Sequence, residues 1–216
     1  MVVGVLLASG AAVAFAGVWF AWWPAALLWL PVGLLGAAAL RFFRDPERRA
    51  PEGDALLLSP ADGVVVELND DAEHPFVGPA RKVGIFMSLF DVHVNRAPTS
   101  GEVAHLRHTD GRHRNAADPR AAEENEAQEI GLKTAHGPVL VRQIAGVVAR
   151  RIVCPLKTGQ RLEAGERFGM VKYGSRLEVW VPKDSPLRWR VTDGSRTKAG
   201  ETIIGTFDDA GSKTDT

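Results

Sequence analysis

A glycine-punctuated turn runs into an alternating strand in the stretch Phe168-Gly-Met-Val-Lys-Tyr-Gly-Ser-Arg-Leu-Glu-Val-Trp180. Apolar Leu177 and Val179 flank Glu178, and this period of two predicts a β-strand with one buried face. The glycines before it predict a turn. Most Gly-Ser pairs are ordinary turns, so the meaning of Gly174-Ser175 depends on what accompanies it in the rest of the chain.

The Gly174-Ser175 pair is also capable of chemistry that an ordinary turn does not perform. Attack of the serine hydroxyl on the glycine carbonyl would convert the amide into an ester. Elimination would then free a new N-terminus, which hydrolyses to a pyruvoyl group. Glycine suits the first position because the missing Cβ permits the strained backbone that such an attack requires. The pair is therefore either a turn or the source of a carbonyl cofactor made from the chain itself.

Length and composition limit the possible functions. The 216 residues suffice for one domain with its own core. The 26 Lys and Arg balance the 26 Asp and Glu, so the overall charge does not indicate a nucleic-acid partner. The single cysteine, Cys154, excludes an internal disulfide, and we interpret it as a small structural residue rather than a catalytic thiol. No P-loop and no zinc-spaced Cys/His set occurs, so we expect neither nucleotide nor metal.

The first 40 residues carry no Asp, Glu, Lys or Arg. Since about 20 apolar residues cross the hydrocarbon of a bilayer, we predict a membrane-associated hydrophobic helical hairpin over residues 1–40, with helices Val2–Phe20 and Ala25–Leu40. One span plus an interfacial segment stays an alternative. The arginines of segment 41–49 then place the catalytic part on the cytoplasmic face of the cell membrane by the positive-inside rule. A cleaved signal peptide is disfavoured because a positive N-terminal region is missing.

Short strands separated by glycine and proline dominate the remainder of the chain. The predicted strands are 55–59, 63–68, 82–89, 139–145, 147–153 and 177–181. We predict a polar helix at Arg120–Gln128, with a solvated loop as an equal alternative, and a disordered tail at residues 208–216. The predicted fold is mostly β (α+β), with a catalytic domain over residues 41–207. Glycine-punctuated echoes at Ala164-Gly-Glu166 and Ala199-Gly-Glu201 support a barrel-sandwich-hybrid-like architecture by analogy.

Six motifs occur in order along this second part of the chain. They are Phe42-Phe-Arg-Asp-Pro46, Ser59-Pro-Ala-Asp-Gly63, Phe86-Met-Ser-Leu-Phe-Asp-Val-His-Val-Asn-Arg-Ala-Pro98, Glu124-Asn-Glu126, Gln143-Ile-Ala-Gly146 and Tyr173-Gly-Ser-Arg176. Any one of them could arise by chance. Together, over about residues 41–206, they resemble the short form of the phosphatidylserine decarboxylase proenzyme family.

The resemblance implies a carboxy-lyase of phospholipid biosynthesis that converts phosphatidylserine in the membrane into phosphatidylethanolamine and CO2. It implies a zymogen that cleaves itself between Gly174 and Ser175. The products would be a β chain of residues 1–174 and an α chain of residues 175–216, which stay together as an α/β heterodimer. Ser175 would become a covalent pyruvoyl group that forms a Schiff base with the substrate amine. This cofactor would supply the electron sink that loss of CO2 requires.

The resemblance also assigns site residues. Ser175 would be the nucleophile of self-cleavage and Gly174 would supply the scissile carbonyl. Asp62 would orient a histidine that deprotonates the serine, and His93 is the candidate base. Longer members carry a second histidine three residues further on, where this chain has Arg96, which cannot act as a base near neutral pH. Either His93 takes this role or another histidine arrives from the following segment. The histidines available there are His105, His108 and His113.

Other charged residues have less specific interpretations. Arg96, Arg112 and Arg114 could bind a substrate carboxylate or phosphate, because guanidinium forks match both groups. They could equally form a solvated basic loop. No chemistry can be assigned from the sequence to Glu124-Asn-Glu126, and His74 is interpreted, like His136, as a loop residue.

Three alternative functions stay open at this point. The same chemistry could act on another serine lipid, such as archaetidylserine. A membrane-anchored serine hydrolase would use Ser175 with His93 and Asp62, but it lacks the G-x-S-x-G elbow and predicts an intact chain. A biotinyl-like carrier module would need a modifiable lysine, for which Lys172 is the nearest candidate.

Overall fold

The chain divides into two compact units, Met1–Phe43 and Arg44–Thr216. The computed structural model describes residues 17, 27, 29–37, 39–114, 121–146, 152–171 and 174–208. In the first unit, residues 29–37 and 39–42 are helical. Within these described ranges, no helix is both long enough and apolar enough to cross a membrane. The predicted two-helix hairpin falls largely outside the described residues and stays a prediction.

Antiparallel strands build the described part of the second unit. They are β1 (Leu56–Leu58), β2 (Gly63–His74), β3 (Gly78–Met87), β4 (Val94–Arg96), β5 (Gly101–Thr109), β6 (Ala127–Thr134), β7 (Gly137–Ile144), β8 (Ile152–Val153), β9 (Arg161–Leu162), β10 (Arg167–Val171), β11 (Ser175–Pro182), β12 (Leu187–Trp189), β13 (Arg196–Thr197) and β14 (Ile203–Phe207). Eight of them form one sheet in the order β13-β2-β3-β11-β7-β6-β5-β9. Two three-stranded sheets, β1-β14-β12 and β4-β10-β8, complete the fold. A one-turn helix, Ala121–Glu124, precedes β6.

Strand β11 lies inside the large sheet. It pairs with β3 along its whole length and with β7 over residues 176–180. The predicted strand is confirmed, and its apolar residues Leu177, Val179 and Val181 pack in the main hydrophobic core. The expectation of a single buried face is wrong, because the alternate residues of β11 are buried as well. Burying one such side chain contributes about 2 kcal/mol. Strand β11 is therefore held by backbone pairing on both edges and by apolar packing on one face.

The opposite face of β11 carries a buried ion network. Arg176 contacts Glu67 on β2, and it lies 2.8 Å from Glu178 on its own strand. Lys82 on β3 lies 3.0 Å from Glu67 and 3.5 Å from Glu178. The indole Nε1 of Trp180 donates a hydrogen bond of 3.1 Å to Glu178. Each buried carboxylate is thus shared by cations, which is the condition under which charges persist inside a protein.

The mostly-β fold predicted from the sequence is confirmed, and strands occur where the pattern predicted β1, β2, β3, β7 and β11. The predicted strand 147–153 is described only at its last two residues. The predicted helix Arg120–Gln128 is wrong beyond Glu124, because Ala127 opens β6, which pairs with β5 and β7. Pairing on both edges satisfies more backbone groups there than a short helix would.

Candidate active site

The Gly174-Ser175 pair lies at the entrance to β11. Gly174 has a φ of +59°, in the left-handed region that glycine adopts without steric cost. Ser175 is the first residue of β11 and is fully buried. Among the described residues, its Oγ has no hydrogen-bond partner. An unsatisfied buried hydroxyl costs about 1–3 kcal/mol, a cost that packing does not explain and that indicates a functional group.

Asp62 ends the turn between β1 and β2. The next residue, Gly63, has a φ of +154°, and a Cβ there would overlap the backbone of β3. The Asp62 carboxylate accepts hydrogen bonds of 2.5 and 2.8 Å from the Arg48 guanidinium and one of 2.8 Å from the Ala199 N–H. The hydrogen bond to Asp62 is the main cause that raises the pKa of Arg48. Within the described part of the chain, Asp62 is therefore bonded to Arg48 and Ala199 rather than to His93.

His93 lies in the connection between β3 and β4 and is completely buried. Its Nδ1 is 2.9 Å from the carbonyl oxygen of Asp91. Because a carbonyl oxygen only accepts, Nδ1 carries the proton and Nε2 is the basic nitrogen. Burial is the main effect and lowers the pKa of His93 below 6.5, and Arg44 acts in the same direction. The hydrogen bond to the Asp91 carbonyl, the charge of Asp91 and, least, the charge of Asp62 act in the opposite one. A histidine that is neutral near pH 7 is in the state that a general base needs.

Strand pairing brings His93 and the Gly174-Ser175 pair to the same part of the fold. Strand β4 begins at Val94, directly after His93, and Val94 pairs with Met170 near the end of β10. Strand β11 begins at Ser175, which pairs with Met87 at the end of β3. Strand β10, before the Gly-Ser pair, is thus paired with β4, and strand β11, after it, is paired with β3. His93 lies in the connection between β3 and β4, so the pairing draws it toward the Gly-Ser pair.

Two buried amides, Asn95 and Gln143, lie beside these strands. Asn95 accepts a hydrogen bond of 2.7 Å from Gln143 Nε2, and its own Nδ2 is 3.9 Å from the sulfur of Met87, the residue that pairs with Ser175. Gln143 Oε1 is buried and, among the residues described, has no hydrogen-bond partner. Gly169 leaves room for this amide, since a Cβ there would approach Nε2 to 3.0 Å. The sequence pointed to Gln143 only through its motif, whereas Asn95 was not singled out.

The Glu124-Asn-Glu126 motif, to which the sequence assigned no chemistry, fixes the loop next to β7. Asn125 is buried, and its Oδ1 accepts a hydrogen bond of 2.8 Å from the Arg114 N–H. Its Nδ2 donates to the carbonyl oxygens of Arg114 and Ala145, at 2.8 and 2.7 Å. Ala145 directly follows β7, the neighbour of β11. Asn125 therefore holds the backbone beside the candidate site.

The basic residues of segment 108–114 pair with the two carboxylates of this motif. They are His108, Arg112, His113 and Arg114. Their contacts with the carboxylate oxygens range from 2.7 to 3.7 Å. This segment is therefore engaged with its own neighbours rather than with the Gly-Ser pair.

His105 and His74 share the carboxylate of Glu129, and we call these three residues the Glu129 cluster. His105 Nε2 lies 3.1 Å from one oxygen of Glu129, and His74 Nε2 lies 3.3 Å from the other. The hydrogen bond from His74 is the main cause that lowers the pKa of Glu129, to about 2. The interpretation of His74 as a loop residue is wrong, because it ends β2 and pairs with Gly78.

The Arg96 side chain connects two segments of the second unit through hydrogen bonds. It is buried, and its guanidinium donates hydrogen bonds to the Gly165 and Pro46 carbonyl oxygens, at 3.0 and 3.1 Å, and to Asp45 at 3.2 Å. These bonds tie the segment at Asp45-Pro46 to the turn before β10. Arg96, which stands where the longer members carry their second histidine, therefore uses its guanidinium for contacts that stabilise the fold.

A cleft of about 460 Å³ opens beside Asp62. Its lining residues are Asp62, Asp91, Arg196, Thr197, Lys198, Glu201 and Thr202. Arg196 and Lys198 are exposed and bring two positive charges to this cleft. The carboxylates of Asp62, Asp91 and Glu201 line the same cleft, and Glu201 lies 4.0 Å from Lys198 Nζ, so the cleft carries charges of both signs.

Comparison with known proteins identifies the family of this chain. The family model described as phosphatidylserine decarboxylase matches residues 35–205. The chain is 46% identical to the phosphatidylserine decarboxylase proenzyme of Syntrophus aciditrophicus over 168 residues, which cover 77% of this chain and 78% of that protein. It is 48% identical to the proenzyme of the same name from Chlorobaculum tepidum over 167 residues, 77% of this chain and 76% of that protein. The proenzyme of Chlorobium phaeobacteroides strain BS1 is 44% identical over 201 residues, 93% and 91% of the two chains. The chain therefore belongs to the phosphatidylserine decarboxylase family.

Proposed function

We propose that this protein is a self-cleaving proenzyme that decarboxylates phosphatidylserine to phosphatidylethanolamine and CO2, using a pyruvoyl group made from Ser175. The observation that carries the proposal is the left-handed Gly174 directly before a buried serine hydroxyl that has no described partner. Membership of a family whose relatives are named proenzymes supports the same conclusion.

Self-cleavage would begin with attack of Ser175 Oγ on the carbonyl carbon of Gly174. His93 Nε2 would take the hydroxyl proton and return it to the departing Ser175 nitrogen, so that an ester replaces the amide. Removal of the Ser175 Cα proton by a base, with departure of the Gly174 carboxylate from Cβ, would give a dehydroalanine N-terminus. Its enamine would tautomerise to an imine, and water would hydrolyse the imine with release of ammonia to leave the pyruvoyl group. The neutral state of His93, which its burial favours, suits this first step.

Asp62 would act on this step through its charge rather than through a hydrogen bond to His93. Burial lowers the pKa of His93, the hydrogen bond to the Asp91 carbonyl and the charge of Asp91 act most strongly in the opposite direction, and the charge of Asp62 adds a smaller effect of the same sign. The Asp62 charge would therefore stabilise the imidazolium that forms when His93 takes the serine proton. Arg48 and the Ala199 N–H hold the carboxylate in place. We assign Asp62 as a positioning and electrostatic residue on these grounds.

The position of residue 175, at the buried start of β11, would keep a carbonyl group formed there away from bulk water. The Gln143 Oε1 acceptor, which has no donor among the described residues, is available to a donor group of the substrate rather than to the carbonyl itself. Once formed, the group supplies the electron sink that loss of CO2 from an amino-acid headgroup requires. Gln143 would accept a hydrogen bond from the substrate amine, His93 would hold the proton that returns to the substrate carbon, and Arg196 with Lys198 would bind the lipid phosphate in the cleft.

The two chains made by cleavage would stay associated as an α/β heterodimer. The α chain would begin with β11, which lies between β3 and β7 of the β chain. Strands β13 and β14 would add pairings with β2 and β1. Arg176, the second residue of the α chain, would keep its buried contact with Glu67.

A phospholipid substrate stays in a bilayer, so we propose that the uncharged residues 1–40 hold the enzyme at the cell membrane. The arginines of segment 41–49 support a cytoplasmic catalytic unit through the positive-inside rule. Removal of residues 1–40 should spare self-cleavage and impair decarboxylation of lipid in vesicles. Equal vesicle activity of the truncated enzyme would contradict the anchoring role.

Intact-protein mass spectrometry of the wild type beside Ser175→Ala tests the cleavage. The wild type should give fragments of residues 1–174 and 175–216, the second lighter by one ammonia than a peptide that begins with serine. Ser175→Ala should stay intact. A wild-type chain that stays intact when folded in membranes would contradict formation of the pyruvoyl group, and with it the proposed decarboxylase activity.

The same preparation separates the alternatives. A serine hydrolase would remain uncut and react with a fluorophosphonate at Ser175, and a carrier module would remain uncut and bear biotin or lipoate on Lys172. Parallel assays with phosphatidylserine and archaetidylserine, each followed by CO2 release, would decide which serine lipid is the better substrate.

A further inference from the structure

A short turn, Ser88–Asp91, presents two adjacent large apolar side chains to solvent. Leu89 is 51% exposed and Phe90 is 72% exposed. Exposed apolar residues are common when they occur singly, whereas neighbouring ones at the end of a turn mark an interaction surface. We call this pair the Leu89–Phe90 tip.

The tip is held by its own hydrogen bonds. The Asp91 carboxylate accepts hydrogen bonds from the Ser88 N–H and hydroxyl, at 2.8 and 2.6 Å, and the Asp91 N–H donates to the Ser88 carbonyl at 3.2 Å. The apolar side chains are therefore exposed on a closed turn and not on a loose loop.

The tip is joined directly to the candidate site. The carbonyl oxygen of Asp91 accepts the Nδ1–H bond of His93, and the Asp91 side chain lines the cleft beside Asp62. On the other side, the Arg44 guanidinium donates a hydrogen bond of 2.8 Å to the Phe90 carbonyl oxygen. A positive charge thus lies at the base of the apolar pair.

We propose that the Leu89–Phe90 tip inserts into the surface of an anionic lipid bilayer and brings the candidate site to the headgroups. The inference rests on the proposed function, in which the substrate is a lipid. Apolar side chains above a cation match the acyl boundary and the anionic headgroups of a membrane. Two side chains are too few for a stable protein interface, which buries about 800 Å² on each partner.

The first test compares substrate forms in the full-length protein. Leu89→Ser/Phe90→Ser is assayed against phosphatidylserine in phosphatidylcholine vesicles and against short-chain phosphatidylserine dispersed as monomers. The ratio of vesicle to monomer kcat/KM should fall about tenfold in the tip variant, as expected for loss of two inserted apolar side chains. The control Val66→Ser/Val153→Ser, which removes two half-exposed valines away from the tip, should keep the wild-type ratio.

The second test measures insertion without any activity. An environment-sensitive fluorophore is attached to Phe90→Cys, and in a parallel sample to Val66→Cys, each in a Cys154→Ser background. Emission from position 90 should shift to the blue with phosphatidylserine-containing vesicles, whereas emission from position 66 should not.

Three outcomes would overturn the inference. One is equal loss of activity on both substrate forms. Another is no shift at position 90 with vesicles, and the third is a shift that follows protein concentration without lipid, which would indicate a second copy of the chain. Inactivity of the wild type on both substrates would instead defeat the proposed function, and the fluorescence result would still decide whether the tip inserts.

Discussion

The second unit contains two histidine environments that differ in the partner of the imidazole. In the Glu129 cluster, two histidines share a carboxylate at 3.1 and 3.3 Å. At the candidate site, the carboxylate of Asp62 is taken by Arg48, and His93 bonds to a backbone carbonyl instead. The first arrangement compensates charge within the cluster, whereas the second leaves a buried imidazole whose pKa is lowered by desolvation.

This difference separates a stabilising histidine from a reactive one. In the Glu129 cluster, the hydrogen bond from His74 is the main cause that lowers the pKa of the shared carboxylate. At His93, burial lowers the pKa of the imidazole and outweighs the hydrogen bond to the Asp91 carbonyl, which acts in the opposite direction, so the ring is neutral near pH 7 and Nε2 is its basic nitrogen. The comparison therefore assigns proton transfer to His93 and stability to the Glu129 cluster, and the following predictions test that assignment.

Replacement of the candidate base should have the largest effect. His93→Ala should slow self-cleavage by about 10²–10⁴, the usual contribution of a general base. The half-time of proenzyme cleavage on denaturing gels measures it. The matched variant His105→Ala removes a histidine from the Glu129 cluster and should cleave close to the wild-type rate. Normal cleavage by His93→Ala together with slow cleavage by His105→Ala would reverse the assignment.

The pH dependence of self-cleavage should report the lowered pKa of His93. Above pH 6.5 the imidazole is neutral and the rate should be level. Below its pKa the base becomes protonated, so the rate should fall about tenfold for each pH unit. Single-turnover cleavage of freshly refolded proenzyme gives the profile. An apparent pKa above 7 would show that another group is the base.

Asp62→Asn should destabilise the fold as well as slow cleavage. The change leaves the Arg48 guanidinium buried without its counter-charge, which costs about 3 kcal/mol. Thermal unfolding in a Ser175→Ala background measures the loss without interference from cleavage. The double variant Arg48→Met/Asp62→Asn removes both charges and should recover part of the stability. Equal Tm values for the single and double variants would argue against a charge effect.

Glu129→Gln should reduce stability without slowing cleavage. The folded pKa is about 2 and the unfolded value is 4.5, so the carboxylate stabilises the fold above pH 4.5 and loses this contribution as the pH falls toward 2. The contribution is on the order of 2 kcal/mol. Denaturant unfolding should show a steeper loss between pH 4.5 and pH 2 in Ser175→Ala than in Ser175→Ala/Glu129→Gln. If the free energy of unfolding fell equally steeply with pH in both variants, the Glu129 carboxylate would not be the source of this stability.

Cys154→Ser should have the smallest effect. Burial raises the pKa of this half-buried thiol, so it is protonated at neutral pH and is not a nucleophile. Self-cleavage should proceed at the wild-type rate, and the free energy of unfolding should change by less than about 1 kcal/mol. Loss of cleavage in this variant would assign a catalytic role to the thiol.

Much of the fold was predictable because alternation is a local property. The spacing of Leu177, Val179 and Val181 at every second position predicts from the sequence alone that they lie on one face of a strand. Strands β5 and β6 were not predicted, since β5 carries the polar run His105-Leu-Arg-His108 and its partners on β6 lie 18 to 31 residues away in the sequence. The polar helix was extended too far for the same reason, because long-range pairing overrides local preference.

The candidate site was predictable only where its residues lie in motifs. Ser175, Gly174 and His93 come from contiguous stretches with a chemical meaning. The contact of Asp62 with Arg48 was not visible, because Arg48 looks like one of several arginines in segment 41–49. The amide pair of Asn95 and Gln143 was hidden too, since the partners are 48 residues apart and neither is charged.

The position of β11 has a consequence for how such an enzyme can be made. In the proposed mature form, a strand between β3 and β7 belongs to a separate chain. Unfolding would then release two molecules, so refolding becomes a bimolecular reaction and stability depends on concentration. The proenzyme would then be the species that folds as a single chain, and the cut enzyme would depend on slow unfolding for its persistence. Each molecule would therefore assemble its site once, and a mature enzyme that unfolds would not be recovered.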